Sequence, residues 1–315
     1  MKYKNIVPII FRFSDFFYRR HKVASPEEKL SCHPFFVFGS GRNGSTLLAT
    51  ILNQHKKIVV TPEEYAMPYA IIKFKLMNFL PWKKLVKIIL RHFESENNNV
   101  SWRIDYSALF NKLMNLPKRE RTLRRVVDEI FLFFIHTNSI YDFELWGDKT
   151  PELMKFIQYI YPVYPDSKYI FLLRDGRDVV SSIFKRIQKQ SEKPEKDILD
   201  YGIYKWNKSI SMYEWLKKKA HPNQLCLLRY ENLVMQPETT LKNLLNFLGY
   251  EYDESMMDFQ NSIDFMGVRG QSHHLNLSKP INPQSIGKWK NDLNSSQKEY
   301  ILKRIHQNLQ TYGYD

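Results

Sequence analysis

Two short segments of this chain place a turn rich in glycine and arginine directly after an apolar run, a pattern typical of anion-binding sites. One segment covers residues 35–46 (FFVFGSGRNGST) and the other covers residues 169–182 (YIFLLRDGRDVVSS). A buried strand that ends at such a turn and continues as a helix presents backbone N–H groups to an anion. Two such segments in one basic chain predict a ligand that is phosphorylated at two places.

The first segment nearly matches a phosphate-binding Walker A loop. Its matching residues are Gly39, Gly44, Ser45 and Thr46. The glycines permit positive φ and a close approach of the backbone to a phosphate. Where an ATP-binding loop has its lysine, however, this chain has Ser45, and the nearest cation is Arg42 inside the loop. The loop therefore disfavours an ordinary Mg-nucleotide kinase, although a glycine-rich turn without any ligand also has this composition.

The second segment ends its apolar run at Arg174. Residues 169–173 are all apolar or aromatic, as expected of a strand that is buried on both faces. If the chain turns into a helix after Arg174, Ser182 lies about two turns along it. A guanidinium and a hydroxyl in these positions can hold one phosphate from two sides. By itself the run Arg-Asp-Gly-Arg-Asp is more often a surface ion-pair cluster, but its pairing with the first segment favours a second phosphate site.

A pair of carboxylates near the predicted sheet edge could act on a hydroxyl group. Glu63 and Glu64 follow the short apolar run at 58–60, and a carboxylate there could take the proton of an acceptor. The same two residues could instead be solvated acids at the start of a helix near Tyr65. His55 is a competing base because histidine titrates near neutral pH, but it also has the position of an ordinary helix-terminal histidine.

Lys149 stands in a tight turn that leads into a predicted helix. Its ammonium could stabilise a negative charge that develops during a reaction. A lysine at the positive end of a helix dipole is slightly unfavourable, and this mismatch favours a functional role over a purely structural one.

The elements that must position these residues alternate between strands and helices. Apolar runs predict strands at 35–38, 58–60, 169–173 and 224–228. Helices are predicted at 45–55, 65–80, 82–93, 106–115, 120–137, 152–161, 178–190 and 237–248, with loops at 94–99 and 261–285. The predicted fold class is therefore α/β, with a P-loop-like parallel sheet flanked by helices and a helical insertion between sheet strands. The second loop could close over the site.

The charge balance implies an anionic partner. The 315 residues include 47 Lys plus Arg against 33 Asp plus Glu, which leaves a formal net charge of +14. Nucleic acid is the usual partner of so basic a chain, but there is no zinc-finger spacing, RNP-like motif or basic heptad run. We therefore expect no nucleic-acid partner, and a doubly phosphorylated cofactor accounts for part of the positive excess.

Composition also indicates the domain organisation and the location. Residues 31–315 are predicted to form one α/β domain, preceded by a basic and aromatic segment at 1–30. The apolar stretch in that segment is shorter than the roughly 20 residues that span a bilayer, so the segment could lie on a membrane surface or pack on the domain.

Since Cys32 and Cys226 lack metal-ligand spacing, we expect no metal site and a reducing, cytoplasmic location.

The two anion-binding motifs, in this order, resemble those of the sulfotransferases that use 3′-phosphoadenosine 5′-phosphosulfate (PAPS). The resemblance extends over about residues 35–289, and it is strongest to the branch with tyrosylprotein and several carbohydrate sulfotransferases. Three segments carry that likeness, at 61–64 (TPEE), 147–151 (GDKTP) and 229–233 (RYENL). It implies transfer of a sulfuryl group from PAPS to an acceptor hydroxyl, with adenosine 3′,5′-bisphosphate (PAP) as the product and no required metal.

The resemblance also implies roles for individual residues. The loop that would cradle the 5′-phosphosulfate contributes Gly41, Arg42, Asn43, Gly44, Ser45 and Thr46. The other implied nucleotide contacts are Arg174 and Ser182 at the 3′-phosphate, Tyr230, and Lys288 in a late phosphate-binding segment, with Ser272 or His273 as weaker candidates. Glu63 would be the general base, with Glu64 as the runner-up, and Lys149 would stabilise charge on the oxygen that bridges phosphorus and sulfur.

The acceptor and the function class leave alternatives open. In tyrosylprotein sulfotransferases the segment after the paired Glu carries an Arg suited to acidic peptides, whereas this chain reads YAMP at 65–68, which counts against peptide tyrosine. The apolar residues there suit a lipid, a glycolipid or a small alcohol, and the positive net charge suits an acidic glycan. A P-loop kinase of a small molecule and a non-enzymatic polyanion-binding module are the two competing functions.

Overall fold

The structure, a computed structural model, describes residues 20–25, 28, 30, 32–97, 102–151, 153–262, 264–267 and 280–314. Five strands form its central sheet: β1 (His33–Phe38), β2 (Ile58–Val60), β3 (Leu145–Asp148), β4 (Lys168–Leu173) and β5 (Leu225–Arg229). Their order across the sheet is β2-β3-β1-β4-β5, and every neighbouring pair is parallel.

Helices connect these strands and cover both faces of the sheet. In chain order they are α1 (Ser45–Leu52), α2 (Met67–Met77), α3 (Trp82–Asn97), α4 (Tyr106–Met114), α5 (Leu123–Thr137), α6 (Leu153–Ile160), α7 (Gly176–Gln188), α8 (Glu195–Lys217), α9 (Tyr230–Met235), α10 (Pro237–Leu248), α11 (Trp289–Asp292) and α12 (Ser295–Thr311). Short 3₁₀ turns lie at Lys118–Glu120, Pro222–Gln224, Glu254–Ser262 and Pro283–Ser285. Helices α2 to α5 lie between β2 and β3 and form the helical insertion.

The central strand β1 is apolar on both sides because each side contacts a separate hydrophobic cluster. Phe36 and Phe38 belong to the larger cluster, which includes the helical insertion. Phe35 and Val37 belong to the smaller cluster, which includes α1 and α10. All four side chains are at most 2% exposed. This burial on both faces is the usual state of a strand in a parallel sheet covered by helices.

The carboxyl ends of the five parallel strands lie along one edge of the sheet. β1 leads into the loop that begins at Gly39, β4 leads to Arg174, and β5 leads to Tyr230. At the same edge, β2 is followed by the segment with Glu63, and β3 by Lys149. Open α/β sheets bind their ligands at this edge. The fold therefore gathers residues that are far apart in the sequence.

The predicted α/β class with a P-loop-like parallel sheet is confirmed. Strand β3 is absent from the prediction, which placed no strand between 58–60 and 169–173. Its four residues (LWGD) have no β-branched side chain, yet they are buried and pair with both β1 and β2. The prediction also omits α8, where the apolar periodicity is weak because the buried face includes Gly202, Lys205 and Ser209 while Tyr201 and Tyr204 are exposed.

Some element boundaries also differ from the prediction. Helix α3 continues to Asn97, so the loop predicted at 94–99 is wrong for residues 94–97, where glutamates favour a helix on the protein surface. Helix α1 ends at Leu52, because the next residue, Asn53, exchanges two hydrogen bonds with the backbone of Val60 in β2. Residues 1–19, 98–99 and 268–279 lie outside the described residues, so the division into 1–30 and 31–315 stays a prediction.

Candidate active site

The loop between β1 and α1 is a tight turn that approaches β4 closely. Its residues with positive φ are Gly41 (71°), Arg42 (54°) and Gly44 (94°). Gly39 has no room for a side chain, since a Cβ there would lie 2.1 Å from Nδ2 of Asn43 and 2.6 Å from the carbonyl oxygen of Leu172. Asn43 Nδ2 donates a hydrogen bond to that carbonyl over 2.7 Å, which ties the loop to β4.

Helix α1 begins directly after this loop with Ser45 and Thr46 in its first turn. Gly44 is its N-cap residue, and no side chain caps the helix. Unpaired N–H groups and the positive end of the dipole at a helix start favour an anion. The residues predicted to hold a 5′-phosphosulfate thus form a helix start of the anion-binding type.

Three side chains join the two predicted phosphate-binding motifs. Arg174 donates from Nη1 to the backbone carbonyl of Arg42 over 3.0 Å, although the residues are 132 positions apart. Arg42 donates from Nε to Oγ of Ser182 over 3.2 Å. The end of β4, the first turns of α7 and the β1–α1 loop therefore meet at one place.

Tyr230 also contacts both motifs. Its ring lies 4.5 Å from the Arg174 guanidinium carbon, a cation–π contact. On the loop side, a Cβ added to Gly44 would be 2.4 Å from the ring, so only glycine fits there. Tyr230 is 7% exposed.

A basic cleft of about 560 Å³ opens at this junction. Its lining residues are Arg42, Arg174, Asp178, Ser181, Ser182, Lys185, Arg186, Lys189, Gln190, Ser285, Lys288, Asn291 and Asp292. Burial, and then the charges of Arg186 and Arg174, lower the pKa of Arg42 to about 10. Among the described residues, the buried Nε of Arg174 and the hydroxyl of Ser181 have no hydrogen-bond partner. Like charges held together and unpaired donors both favour a bound anion.

The segment that carries Lys288 is fixed to the start of α7. The carboxylate of Asp178 accepts hydrogen bonds from the backbone N–H groups of Gly287, over 2.8 Å, and Trp289, over 3.0 Å. The Arg177 guanidinium carbon lies 4.5 Å from the centroid of the Trp289 ring. Lys288 is exposed and lines the cleft from this segment.

Glu63 and Lys149 form an ion pair at the carboxyl ends of β2 and β3. Lys149 Nζ lies 2.9 Å from Oε1 of Glu63. The Lys149 side chain is 1% exposed and the Glu63 side chain is 30% exposed. The hydroxyl of Tyr65 donates to the other oxygen of Glu63. The Glu63 charge also acts on Arg42, whose pKa it raises against the effect of burial. The carboxylate therefore lies beside the β1–α1 loop, next to a buried ammonium.

Glu64 has a different environment from Glu63. It is fully buried, and its carboxylate accepts hydrogen bonds from the backbone N–H groups of Ala66 (2.5 Å) and Met67 (2.7 Å) at the start of α2. Burial, and then the nearby charge of Asp148, raise the pKa of Glu64 to about 8. Burial likewise raises the pKa of Asp148 to about 6. Glu64 thus supports the start of a helix, whereas Glu63 is partly open to solvent.

Thr150 joins these two buried acids. It accepts a hydrogen bond from the backbone N–H of Glu64 over 2.7 Å and donates from its hydroxyl to Oδ1 of Asp148 over 2.7 Å. The segments that carry Glu63 and Lys149 are therefore fixed to each other by their neighbours.

His55, the competing base, does not join this group. It precedes β2, at the amino end of the strand, whereas Glu63 follows the carboxyl end. Its Nε2 lies 3.2 Å from the carbonyl of Glu251, and burial lowers its pKa. The weaker candidates Ser272 and His273 lie outside the described residues.

Three residues near these groups were not identified from the sequence. Arg186 lies four positions after Ser182 on α7, so helical spacing could have indicated it. Tyr65 lies two residues after Glu63, but nothing in the sequence shows that its hydroxyl turns back to the carboxylate. Lys205 comes from α8, is 8% exposed, and places Nζ 3.4 Å from where a Cβ of Gly41 would be. That contact depends on a helix that the pattern did not predict.

The site combines a glycine-rich loop, a basic cleft and a carboxylate–lysine pair at the ligand-binding edge of an α/β sheet. This is the arrangement of a nucleotide-dependent transferase. A model of the sulfotransferase family matches residues 34–254. The chain therefore belongs to the sulfotransferase family, an enzyme family whose members transfer a sulfuryl group from PAPS and release PAP.

Curated relatives support the same family. The chain is 24% identical over 262 residues to protein-tyrosine sulfotransferase 1 of Danio rerio, covering 81% of this chain and 64% of the relative. It is 24% identical over 290 residues to protein-tyrosine sulfotransferase A of Caenorhabditis elegans, covering 87% of this chain and 65% of the relative. The chain thus spans less than two thirds of the length of these relatives.

A solved structure supports the fold. The sulfotransferase domain of the Synechococcus PCC 7002 olefin synthase has a TM-score of 0.58 at 20% identity, over 93% of this chain and 99% of that domain. At this identity the likeness concerns the fold alone.

The expected cytoplasmic location is wrong. Protein-tyrosine sulfotransferases, the relatives of this chain, are Golgi membrane enzymes. Within the part of the chain that the structure describes, no helix has the length and apolar character needed to cross a membrane.

Proposed function

We propose that this chain transfers a sulfuryl group from PAPS to an acceptor hydroxyl by in-line displacement. The observation that carries the proposal is the junction at Arg42, whose carbonyl accepts from Arg174 and whose guanidinium donates to Ser182. Two anion-binding motifs that share one arginine suit the two phosphorylated positions of one adenosine nucleotide.

In the proposed complex, the β1–α1 loop binds the 5′ end of the nucleotide. Backbone N–H groups from Gly41 to Thr46 and the guanidinium of Arg42 face the phosphosulfate. Arg174, Ser182 and Lys288 hold the 3′-phosphate in the basic cleft. Tyr230, which packs on Arg174 and Gly44, contacts the nucleoside between the two ends.

In the proposed reaction, a bond forms between the acceptor oxygen and sulfur while the bond from sulfur to the bridging oxygen of PAPS breaks. Glu63 takes the proton of the acceptor, and PAP leaves with the electron pair on its 5′-phosphate. Lys149 stabilises the charge that builds on the bridging oxygen. The 2.9 Å contact between Lys149 and Glu63 supports this assignment, because a neighbouring ammonium keeps a carboxylate ionised.

Charge on the sulfuryl group requires less compensation than charge on a phosphoryl group. We therefore assign the positive charge at the transferring group to Arg42 and Lys149, without a metal.

The acceptor carries a hydroxyl group, and its class is part of the proposal. Beside the Glu63 segment, Tyr69 in α2 is 47% exposed and packs edge-on against Phe156 in α6, with ring centroids 5.0 Å apart. An aromatic surface here suits the apolar face of a sugar or a phenol. Glycans, glycolipids and small alcohols are the acceptors we expect, and the curated relatives add peptide tyrosine to those that need testing.

The test compares Glu63→Gln with wild type, with Glu238→Gln as a control because Glu238 is an exposed surface acid on α10. Turnover of labelled PAPS is measured with a tyrosine peptide, p-nitrophenol, a glycolipid and an acidic glycan, and PAP binding is measured by calorimetry. Loss of a general base should lower turnover by about 100-fold or more, while PAP affinity stays within about twofold. Normal turnover by Glu63→Gln would contradict the assignment of the base.

Nucleotide preference separates this proposal from its competitors. PAP should raise the melting temperature without Mg²⁺, whereas a P-loop kinase should respond to Mg-ATP. A polyanion-binding module should respond to heparin and should keep that response in Arg174→Ala.

A further inference from the structure

Both carboxylate oxygens of Glu63 accept a hydrogen bond from a neighbouring side chain. Lys149 Nζ donates to Oε1 over 2.9 Å, and the Tyr65 hydroxyl donates to Oε2. Lys149 is 1% exposed, whereas Tyr65 is half-buried. The carboxylate is therefore held between an ammonium that follows β3 and a phenol from its own segment.

The backbone around Glu63 is fixed independently of this contact. The N–H of Glu64 donates to Thr150, and the Glu64 carboxylate accepts from the N–H groups of Ala66 and Met67. With the backbone held on the helix side, the main freedom left to Glu63 is rotation of its own side chain. The donors from Lys149 and Tyr65 restrict that rotation.

We infer that Tyr65 is a positioning residue for Glu63. The inference rests on the proposed function, in which Glu63 takes the proton of the acceptor. The phenol takes no part in group transfer; its hydrogen bond orients the carboxylate and favours the ionised form that can accept a proton. Since an ionised carboxylate offers about four acceptor positions, an acceptor hydroxyl can bind to Glu63 while both donors stay in place.

Other charged groups around Glu63 stay unchanged when the phenol is altered. They are Lys149, Asp148 and Arg42, each of which interacts electrostatically with Glu63. A change in the protonation of Glu63 in Tyr65→Phe would therefore report on the lost hydroxyl. Phenylalanine keeps the ring, so this variant removes the hydroxyl together with its hydrogen bond to Glu63.

Labelling by a water-soluble carbodiimide with glycinamide measures this protonation without any acceptor. The reagent reacts with the protonated carboxyl, and the tryptic peptide 58–73 reports on Glu63 after fragmentation. We expect the midpoint of labelling against pH to move upward by about one pH unit in Tyr65→Phe. Tyr141→Phe is the control, because Tyr141 is 70% exposed and stacks on the ring of His136; the labelling midpoint of Glu63 in this variant should equal that of wild type.

Turnover gives a second readout. PAP release from PAPS, with water as the acceptor, should fall roughly tenfold in Tyr65→Phe, and its decline at low pH should begin at a higher pH than in wild type. PAP affinity should not change. These effects separate a positioning role from a general loss of structure, which would weaken PAP binding as well.

The outcomes are distinct for the inference and for the proposed function. An unchanged labelling midpoint in Tyr65→Phe would overturn the inference, and so would faster turnover, which would mean that the phenol blocks Glu63. Failure of wild type to bind PAP would instead overturn the proposed function, and the labelling would still report on the contact between Tyr65 and Glu63.

Discussion

The guanidinium of Arg174 donates a hydrogen bond over 3.0 Å to the backbone carbonyl of Arg42, 132 residues earlier in the chain. This contact joins the carboxyl end of β4 to the loop after β1. Since the Arg42 guanidinium in turn contacts Ser182, both predicted phosphate-binding motifs face one cleft. A single nucleotide with phosphate groups at two places can therefore contact both motifs.

Gly44 and Gly249 provide a matched pair of glycine substitutions. Both have nearly the same backbone conformation, with φ of 94° and 95°, but a Cβ at Gly44 would meet the Tyr230 ring at 2.4 Å while one at Gly249 would meet nothing within 4 Å. Gly249→Ala should cost only the backbone strain, about 1 kcal/mol, and leave PAP binding unchanged. Gly44→Ala should cost about 2 kcal/mol more and weaken PAP binding, since Tyr230 must move. Urea unfolding and calorimetry would measure both effects, and equal behaviour of the two variants would contradict this account of the loop.

Thr150 should fix the relative position of Glu63 and Lys149. Thr150→Val leaves the buried N–H of Glu64 without its acceptor and removes a donor to Asp148, so we expect a loss of about 2 kcal/mol in stability. Turnover should fall more than PAP affinity, because the nucleotide cleft is not altered.

Thr137→Val is the control for this substitution. The Thr137 hydroxyl donates a hydrogen bond to the carbonyl of Phe133, but it is exposed on α5. If both valine variants had the same turnover and stability, Thr150 would have no part in aligning the pair.

Glu64 should make the protein less stable as the pH rises. Burial raises its folded-state pKa from 4.5 to about 8, so the folded protein keeps a proton that the unfolded chain releases above pH 4.5. The contribution of this bound proton to the free energy of unfolding is therefore complete below pH 4.5 and is lost as the pH rises to about 8. Glu64→Gln cannot titrate, so its free energy of unfolding should fall less over this range, by on the order of 5 kcal/mol.

For Glu64→Gln, the informative quantity is how steeply the free energy of unfolding falls with rising pH. At low pH the variant should be the less stable protein, because its amide nitrogen cannot accept from the N–H of Met67. Urea unfolding at several pH values, with Glu238→Gln as the exposed control, would measure the slope. A wild-type slope in Glu64→Gln would show that Glu64 is ionised in the folded protein.

Local sequence signals were enough to predict the glycine- and arginine-rich turns that follow β1 and β4. Glycines with positive φ at Gly41 and Gly44, and an apolar run that ends at Arg174, are properties of a few consecutive residues. The α/β class followed in the same way from strands and helices with clear periodicity. The choice between Glu63 and Glu64 came from the resemblance to a family and had no basis in periodicity.

Contacts between distant segments could not be predicted from the sequence. The ion pair between Glu63 and Lys149 joins residues 86 positions apart and depends on β3, a four-residue strand with no strong propensity. Lys205 reaches the β1–α1 loop only because α8 packs on α7. The contrast between a buried Glu64 and a partly exposed Glu63 likewise depends on how the start of α2 packs, which neighbouring residue types do not reveal.

The most direct test of the central claim is the affinity of the protein for PAP and for adenosine 5′-monophosphate, which lacks the 3′-phosphate, measured by calorimetry. Wild type should bind one PAP per chain and prefer it by about 100-fold, since the guanidinium and hydroxyl contacts add charge-assisted hydrogen bonds. Arg174→Ala should lose most of that preference while binding the monophosphate as before. Arg119→Ala, which removes a surface arginine whose side chain is 78% exposed, should keep the preference. An Arg174→Ala variant that still preferred PAP by the wild-type factor would contradict the claim that both motifs hold one nucleotide.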